Sequence, residues 1–338
     1  MFKNLSSVIF FSTLLIGTMI SISANSWFGA WMGLEINLIS FIPLMSNLKN
    51  SISTESSLKY FLTQALASSV LLFSIIILSF HNSLNFSYSF EYYFNLILNS
   101  SLLLKMGAAP FHFWFPEVME GLNWFLGIIL MTWQKIAPMI LISYCYSFYF
   151  ISFVILISIL MGSIGGLNQV SLRKLMAFSS INHVGWLLSS IMISNLYWFI
   201  YFCFYSFLSI SIINLFSKFN IFYLSQTYNL MNFSPVLKFI LFCNFLSLGG
   251  LPPFTGFFPK WIIIQNLALT NPFLITCMVS LTLITLFFYI RITYSAFMLN
   301  YSEIKWIYFK DLNSNSILIF NYFSIFGLSI IFFIYSIF

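Results

Sequence analysis

The sequence predicts an all-α polytopic membrane protein with about eleven transmembrane helices. Hydrophobic residues make up 60% of the 338 residues and charged residues only 6%, and the mean hydropathy is +0.97. A soluble globular protein carries about 25% charged residues, so a soluble fold is excluded. The hydrophobic runs are separated by short polar segments, and most reach the roughly 20 residues that a membrane crossing requires.

The predicted spans follow one another along almost the whole chain. They cover residues 5–22, 26–45, 56–80, 92–115, 123–145, 149–169, 175–192, 196–217, 236–268, 272–298 and 316–337. The first run, Leu5 to Ile22, has no small-residue cleavage site behind it, so we expect a retained helix and not a signal peptide. An odd number of crossings places the two termini on opposite sides of the membrane.

The basic residues of the loops collect on one side of the membrane in this assignment. The side that holds the N-terminus receives Lys3, Lys49, Lys59, Arg173, Lys174, Lys218, Lys238, Lys305 and Lys310, and the opposite side receives none. The positive-inside rule therefore places the N-terminus in the cytoplasm or matrix. Other charged residues fall inside spans, namely Lys105, Lys135, Lys260, Arg291 and Glu35.

Two spans contain glycine and proline where a membrane helix would otherwise continue. The fourth carries Gly107, Pro110 and Pro116, and the ninth carries GGLPPFTGFFPK. Proline lacks an amide hydrogen and clashes with the preceding turn, so both helices are predicted to break inside the bilayer. Residues 105–111 and 247–253 share the spacing of glycine and first proline, and the two spans cross in opposite directions. This pattern is typical of an inverted repeat around a midplane transport site.

Three charged residues lie near the centres of their spans. Glu35, in WMGLEINLIS, places a carboxylate where it costs several kcal/mol unless it is paired or protonated. Lys105 and Lys135 are placed similarly. Desolvation favours the neutral form of an amine and a nearby carboxylate favours the charged form, so a Glu–Lys pair that opens and closes could capture and release protons. A hydrogen bond between packed helices is the alternative role for Glu35.

Further candidates for proton transfer follow along the chain. Lys260, after the second break, could be the exit member of the series, with snorkelling to the interface as the alternative. Arg291 lies about two turns from the basic side, and snorkelling accounts for it. His183, in SSINHVGW, is central to the seventh span, and His112 lies in the first break. A histidine titrates near neutrality and could pass protons between lysines, or it could join helices through a hydrogen bond.

The sequence offers no metal or redox site. The cysteines lie singly on separate predicted spans without CxxC spacing, which excludes an iron–sulfur cluster or zinc site; they are Cys145, Cys203, Cys243 and Cys277. There is no GxGxxG motif after a strand, no P-loop and no nucleophile elbow, so we expect no catalytic, cofactor-binding or metal-binding residue. No nucleic-acid partner is expected either.

Several segments together carry a resemblance to a known family. They are WMGLEINL at 31–38, SLKYFLTQALAS at 57–68, LLLKMGAAPFHFWFPEV at 102–118, MTWQKIAP at 131–138, GGLNQVSLRKLMAFSSINHVGW at 165–186 and LSLGGLPPFTGFFPKW at 246–261. With Glu35, Lys105, Lys135 and Lys260 in this order, the chain resembles the antiporter-like membrane-arm subunits of respiratory complex I, the NADH–ubiquinone oxidoreductase. The resemblance extends over nearly the full length.

The resemblance implies a fold and a set of roles. Two inverted five-helix repeats with discontinuous helices at spans four and nine would cover residues 1–145 and 146–298, and residues 299–338 would hold a loop and a C-terminal transmembrane helix. Glu35 would pair with Lys105, Lys135 would be the central connecting lysine, and Lys260 would lead to the exit side.

The resemblance also implies a function within a larger assembly. The chain would translocate protons, driven by electron transfer from NADH to ubiquinone in other subunits, and those subunits would hold NADH, FMN, iron–sulfur clusters and ubiquinone. Its partners would be other membrane-arm subunits and the lipid bilayer. It would lie in the mitochondrial inner membrane with its N-terminus in the matrix and its C-terminus in the intermembrane space. Two alternatives stay open: a free-standing cation/proton antiporter, and a structural subunit whose charges only lock helices together.

Overall fold

A computed structural model describes residues 5–47, 50–84, 88–231 and 235–298, together with Asn321, Tyr322, Ser324 and Gly327. Regular structure in this part of the chain is helical, and the β-type pairing is an isolated bridge between Ser171 and Tyr223. The predicted all-helical class is therefore confirmed for these residues.

The chain divides into two compact units, Met1–Ser158 and Ile159–Phe338. The first unit contains α1 (Leu5–Ser23), α2 (Trp27–Met45), α3 (Ser51–Leu84), α4 (Tyr88–Met106), α5 (Trp114–Gly121), α6 (Trp124–Met131) and α7 (Trp133–Tyr144), and the boundary falls within α8 (Phe148–Gly166). The second unit contains α9 (Leu172–Ile191), α10 (Asn195–Phe219), α11 (Leu224–Met231), α12 (Pro235–Gly249), α13 (Phe257–Thr270) and α14 (Pro272–Met298). The division into residues 1–145, 146–298 and 299–338 stays a prediction.

Seven helices of the described residues are long and apolar enough to cross a membrane, so the chain is a multi-pass membrane protein. They are Leu5–Ser23, Trp27–Met45, Ser51–Phe80, Trp124–Tyr144, Phe148–Gly166, Asn195–Phe219 and Pro272–Ser295. The predicted fourth and ninth spans are each divided into two helices, and most of the predicted span at 316–337 lies outside the described residues. The count of eleven and the inverted repeat therefore stay predictions.

The fifth predicted span, 123–145, agrees with the span Trp124–Tyr144, which is interrupted between two of its helices. α6 ends at Met131 and α7 begins at Trp133. The hydroxyl of Thr132 donates to the Ile128 carbonyl at 2.7 Å, and a threonine bonded back to the i−4 carbonyl bends a helix. The bend places an irregular backbone segment directly before Lys135.

Glu117 and Glu120 lie on a short helix, α5. Pro116 was expected to interrupt the fourth span, but it lies in the first turn of α5, where a missing amide costs no hydrogen bond. Glu117 accepts from the ammonium of Lys59 at 2.8 Å, and Glu55 lies 3.0 Å from the same ammonium. All three side chains are exposed, so this cluster marks a polar end shared by α3 and α5.

The other loop assignments have mixed outcomes. Lys238 was counted among the basic residues of the loops, although the predicted ninth span contains it, and it lies near the start of α12, where it is 5% exposed. The short helix α11 was not predicted. The predicted loop residues Lys3, Lys49, Lys305 and Lys310 lie outside the described residues.

Two glycines fix the close packing of α1 on α2, the helix that carries Glu35. A Cβ at Gly33 would lie 2.5 Å from the Ser21 amide nitrogen and 2.8 Å from the Gly17 carbonyl oxygen. A Cβ at Gly17 would in turn meet the Gly33 carbonyl oxygen at 3.0 Å. Small residues that let backbones approach are the usual means of helix association in membranes.

We expect Gly33→Ala to destabilise the first unit by about 1–3 kcal/mol, because backbone atoms of α1 cannot move aside as a side chain does. Heating detergent-solubilised membranes and following the chain that remains soluble measures the change. Gly29→Ala, on the same helix, is the control, because its Cβ would meet only side-chain atoms of Ala24 and Ser26, at 3.3 Å. Equal midpoints for the two variants would contradict the role assigned to Gly33.

Candidate functional site

The fourth predicted span breaks at Gly107. α4 ends at Met106, and Gly107 has φ of +71°, which a glycine adopts without the steric cost of a Cβ. The Gly107 amide donates to the Leu104 carbonyl at 3.1 Å and the Ala108 amide to the Leu103 carbonyl at 3.1 Å. This is the Schellman arrangement, which satisfies two of the carbonyls that a helix leaves free at its end.

Two side chains complete the cap of α4. The indole nitrogen of Trp114, on α5, donates to the Leu104 carbonyl at 3.1 Å. The amide of Gln64, on α3, donates to the carbonyl of Lys105 at 3.3 Å. Neutral donors from two neighbouring helices therefore bind the backbone at the break, as a membrane interior requires.

The ninth predicted span breaks in the same way at Gly250. This residue has φ of +83°. The Gly250 amide donates to the Ser247 carbonyl at 3.0 Å, and the Leu251 amide donates to the Leu246 carbonyl at 3.3 Å. The positions of the two breaks were predicted correctly from their glycines and prolines.

Lys260 completes the cap of α12. It lies on α13, is 6% exposed, and donates to the carbonyls of Leu248 at 3.1 Å and Gly249 at 2.8 Å. Its ammonium also stands 5.9 Å from the centre of the Trp186 ring. The amine therefore points to the break, and snorkelling to the interface does not describe it.

Glu35 and Lys105 lie in one region of the first unit without touching. Lys105 is 7% exposed and lies within electrostatic range of Glu35, but no ion pair within 4.0 Å joins them. Oε1 of Glu35 is buried and has no hydrogen-bond partner in the described part of the chain. A carboxyl group and an amine thus lie within electrostatic range of each other without a direct ion pair.

A polar cavity of about 20 Å³ adjoins Lys105. Its polar lining comes from Asn37, Gln64, Lys105, Gln134 and Tyr60. The Gln134 amide donates to the Asn37 side-chain oxygen at 2.9 Å, which ties α7 to α2 at the cavity wall. A cavity of this size and polarity holds about one water molecule.

Lys135 lies close to the aromatic ring of Phe115, which packs on the first break. It is 1% exposed, and its ammonium stands 5.4 Å from the centre of the Phe115 ring. Phe115 also packs on the break, because a Cβ at Gly107 would lie 3.0 Å from Phe115 Cβ. One aromatic ring therefore contacts both the break of α4 and the amine of Lys135.

The two predicted histidines differ in their surroundings. His112 lies in the first break, is 3% exposed, and its Nδ1 has no hydrogen-bond partner among the residues described. His183, on α9, is 5% exposed, and its Nδ1 lies 2.9 Å from the hydroxyl of Tyr201.

The remaining charged and thiol groups lie elsewhere. Arg291 is exposed and donates to the Leu167 carbonyl at 2.5 Å. The cysteines of the described chain are free, and within it no group of three or more His, Cys, Asp and Glu side chains is placed to hold a metal ion.

Sequence reasoning missed the amides and aromatic rings that surround the lysines. Gln64, Gln134 and Asn37 stand on apolar spans, where a polar amide is costly, and this cost was a usable signal. Trp114 and Phe115 carried no such signal, because aromatic residues are abundant throughout the chain.

We expect Gly250→Ala to destabilise the second break by about 1–2 kcal/mol, because a Cβ is disfavoured at positive φ. The new Cβ would also lie 2.8 Å from Cδ of Lys260 and push that side chain off its carbonyl partners. Gly249→Ala is the matched control, since its Cβ would make ordinary contact with Tyr289 at 3.4 Å. The temperature at which each variant becomes insoluble in detergent extracts measures its stability. An equal loss of stability in the two variants would contradict the role assigned to Gly250.

Comparison with known proteins identifies the family of this chain. A family model described as NADH:quinone oxidoreductase/Mrp antiporter, TM, matches residues 24–285. The chain is 56% identical to NADH-ubiquinone oxidoreductase chain 2 of Anopheles gambiae over 340 residues, which cover 99% of both chains. The protein of the same name from Aedes aegypti gives the same identity and coverage.

A solved structure shares the fold. A chain of respiratory complex I from Thermus thermophilus with bound aureothin matches with a TM-score of 0.84 and 19% identity, over 96% of this chain and 78% of that chain. At this identity the likeness shows the fold alone, whereas the relatives at 56% identity show the family. The chain belongs to the NADH-ubiquinone oxidoreductase chain 2 family of antiporter-like membrane proteins.

Proposed function

We propose that this chain is a membrane-arm subunit of a proton-translocating NADH:ubiquinone oxidoreductase and moves protons through a relay of buried side chains. The relay contains Glu35, Lys105, His112, Lys135, His183 and Lys260. The observation that carries the proposal is the burial of lysine amines at or beside each broken helix, where lipid-facing charge would be prohibitive. The chain itself does no redox chemistry, and NADH, FMN, iron–sulfur clusters and ubiquinone belong to other subunits.

Protons enter at the Glu35–Lys105 pair. The two groups interact electrostatically without direct contact, and the cavity beside Lys105 has room for one water. Water that bridges the pair lets a proton reach either group, and the partner's charge state decides how readily it stays. Protonation of Glu35 weakens its hold on the ammonium of Lys105, so that the lysine releases its proton inward.

Lys135 receives the proton inside the chain. The Phe115 ring attracts the charged form of the amine, because a cation is stabilised over an aromatic face. The same ring packs on the break at Gly107, so a shift of that segment changes the contact with Lys135. His112, in the same break, offers a further titrating nitrogen on this part of the route.

Lys260 delivers the proton to the exit side. In its charged form the amine has three donors, and the carbonyls of Leu248 and Gly249 accept two of them. Release of the proton removes the charge from both hydrogen bonds and weakens the cap of α12. The charge of Lys260 and the conformation of the second break are therefore coupled, which is what an exit gate requires.

The same family membership supports a location in the mitochondrial inner membrane, with partners among the other membrane-arm subunits. Exposed apolar side chains such as Phe73, Phe153 and Phe287 suit a surrounding of lipid. The N-terminus lies in the matrix and the C-terminus in the intermembrane space by the charge of the loops. Two inverted five-helix repeats, with the breaks at equivalent positions, complete this architecture.

A free-standing cation/proton antiporter is the second candidate, because the matching family model includes Mrp antiporters. Relatives that match over the full length are NADH-ubiquinone oxidoreductase chains, which favours the complex. A native gel stained for NADH oxidation, followed by mass spectrometry, separates the two. Co-migration of this chain with a very large NADH-oxidising band supports the complex, and migration as a small species away from it supports the antiporter.

We expect Lys135→Met to lower the number of protons translocated per NADH oxidised, or to slow coupled turnover, because methionine fills the site without a titrating group. Sealed membrane vesicles with a pH-sensitive dye and an NADH absorbance assay give both quantities. Lys59→Met is the control, since Lys59 is exposed and an exposed pair contributes little stability. An assembled Lys135→Met complex with unchanged pumping and turnover would count against the relay.

We expect Glu35→Gln to leave an assembled but poorly coupled complex, because glutamine keeps the shape and hydrogen-bonding capacity but not the proton exchange. Assembly is read from the native gel and coupling from the ratio of protons to NADH. If the charge of Glu35 only locks helices together, the substitution impairs assembly instead and leaves any assembled complex fully coupled.

A further inference from the structure

Three buried tyrosines of α10 and α14 lie near polar residues of α9 in the second unit. Tyr201, Tyr205 and Tyr289 are 2%, 3% and 2% exposed. A buried phenol hydroxyl requires a hydrogen-bond partner, and in an apolar bundle that partner has to be another polar group of the protein or a bound water. In a membrane span the cost of such groups makes a function the first expectation.

Each of these phenols lies beside a polar side chain of α9. The Tyr201 hydroxyl lies 2.9 Å from Nδ1 of His183. Tyr205 is hydrogen-bonded to Ser180, and its ring centre lies 5.0 Å from that of His183. The Tyr289 phenol lies within interaction range of the Ser179 hydroxyl. The partners lie on one stretch of a single helix, so the phenols form a group and not three isolated contacts.

The group extends to the second break. Tyr205 lies within electrostatic range of both Tyr201 and Tyr289. The Tyr289 ring packs against Gly249, where an added Cβ would lie 3.4 Å from Cδ2. The carbonyl of Gly249 accepts from the ammonium of Lys260 at 2.8 Å. Tyr289 therefore stands between the hydroxyls of α9 and the residue that holds Lys260.

Two further polar atoms of α9 in this region are buried. Oδ1 of Asn182 and the indole nitrogen of Trp186 are buried, and neither has a hydrogen-bond partner in the described residues. The ring of Trp186 faces the ammonium of Lys260, at 5.9 Å. An unpaired donor and an unpaired acceptor on one helix face are the partners that an ordered water needs.

We propose that Tyr201, Tyr205 and Tyr289, with the hydroxyls of Ser179 and Ser180, form the hydrogen-bonded link that carries protons between His183 and Lys260. The inference rests on the proposed function and deepens it, because it assigns the route between two members of the relay. No direct hydrogen bond between His183 and Lys260 is present in the structure, so the relay needs intermediates there.

The transfer leaves every phenol with one hydroxyl hydrogen, as before. Lys260 gives up one N–H proton to the Tyr289 side of the link, directly or through water, and each hydroxyl accepts a proton on its oxygen while it releases its own to the next. Tyr201 finally donates to Nδ1 of His183, so the ammonium becomes an amine and the imidazole an imidazolium. The reverse direction uses the same atoms, and the hydroxyls then rotate back.

Phenylalanine variants test the link in the full complex, because they remove the hydroxyl and keep the ring. We expect Tyr205→Phe and Tyr289→Phe to lower the number of protons translocated per NADH in sealed vesicles, with assembly on a native gel unchanged. Tyr294→Phe, on the same helix as Tyr289 and 62% exposed, is the matched control and should leave the ratio unchanged. Ser179→Ala and Ser180→Ala remove the partner hydroxyls and should lower the ratio in the same way.

The proton ratio separates the possible outcomes. If assembled Tyr205→Phe, Tyr289→Phe and serine variants pump like the parent while Lys260→Met does not, the link is wrong and the proposed function stands. If Lys260→Met also pumps like the parent, the proposed function itself fails. If the variants lose thermal stability but keep the full proton ratio, the hydroxyls serve only packing and the link is wrong. A lowered proton ratio at unchanged thermal stability supports the link.

Discussion

Each broken helix of this protein has to satisfy its free backbone carbonyls in a place where water is scarce. An unpaired carbonyl in hydrocarbon costs several kcal/mol, so a break persists only where other groups of the protein bind it. At Gly107 and at Gly250, backbone amides just past the helix end bind two of these carbonyls in the same arrangement. The side chains that bind the remaining carbonyls differ between the two breaks, and they determine where charge is held in each unit.

The two helix caps differ in the side-chain donors that bind the backbone carbonyls. At the first break the donors are neutral, an indole and a side-chain amide, so Lys105 does not hold the backbone and is free to respond to Glu35. At the second break the donor is the amine of Lys260 itself. A change of protonation therefore acts on charge alone in the first unit and on charge and backbone together in the second.

Uncharged polar side chains provide hydrogen-bonding groups for proton transfer beside Lys105 and along α9. The amides that line the cavity beside Lys105 and the hydroxyls along α9 supply donors and acceptors that neither release nor capture a net proton. They are costly in an apolar bundle unless they are hydrogen-bonded, as the Gln134 amide is to Asn37 and the Tyr201 hydroxyl is to His183. Such groups let protons move without placing further charge in the membrane.

The sequence alone determined that the chain crosses a membrane many times, which residues carry charge there and where two helices break. Composition decides that the chain crosses a membrane, and the residue types themselves show where charge lies. The breaks follow because proline and a left-handed glycine act locally, whatever surrounds them. The tertiary structure decided the partners. Gln64 meets Lys105 and Tyr289 lies near Ser179 across long separations in sequence, and Lys260 meets Gly249 across the second break. Helices that are apolar on all sides present no pattern that reveals which faces meet.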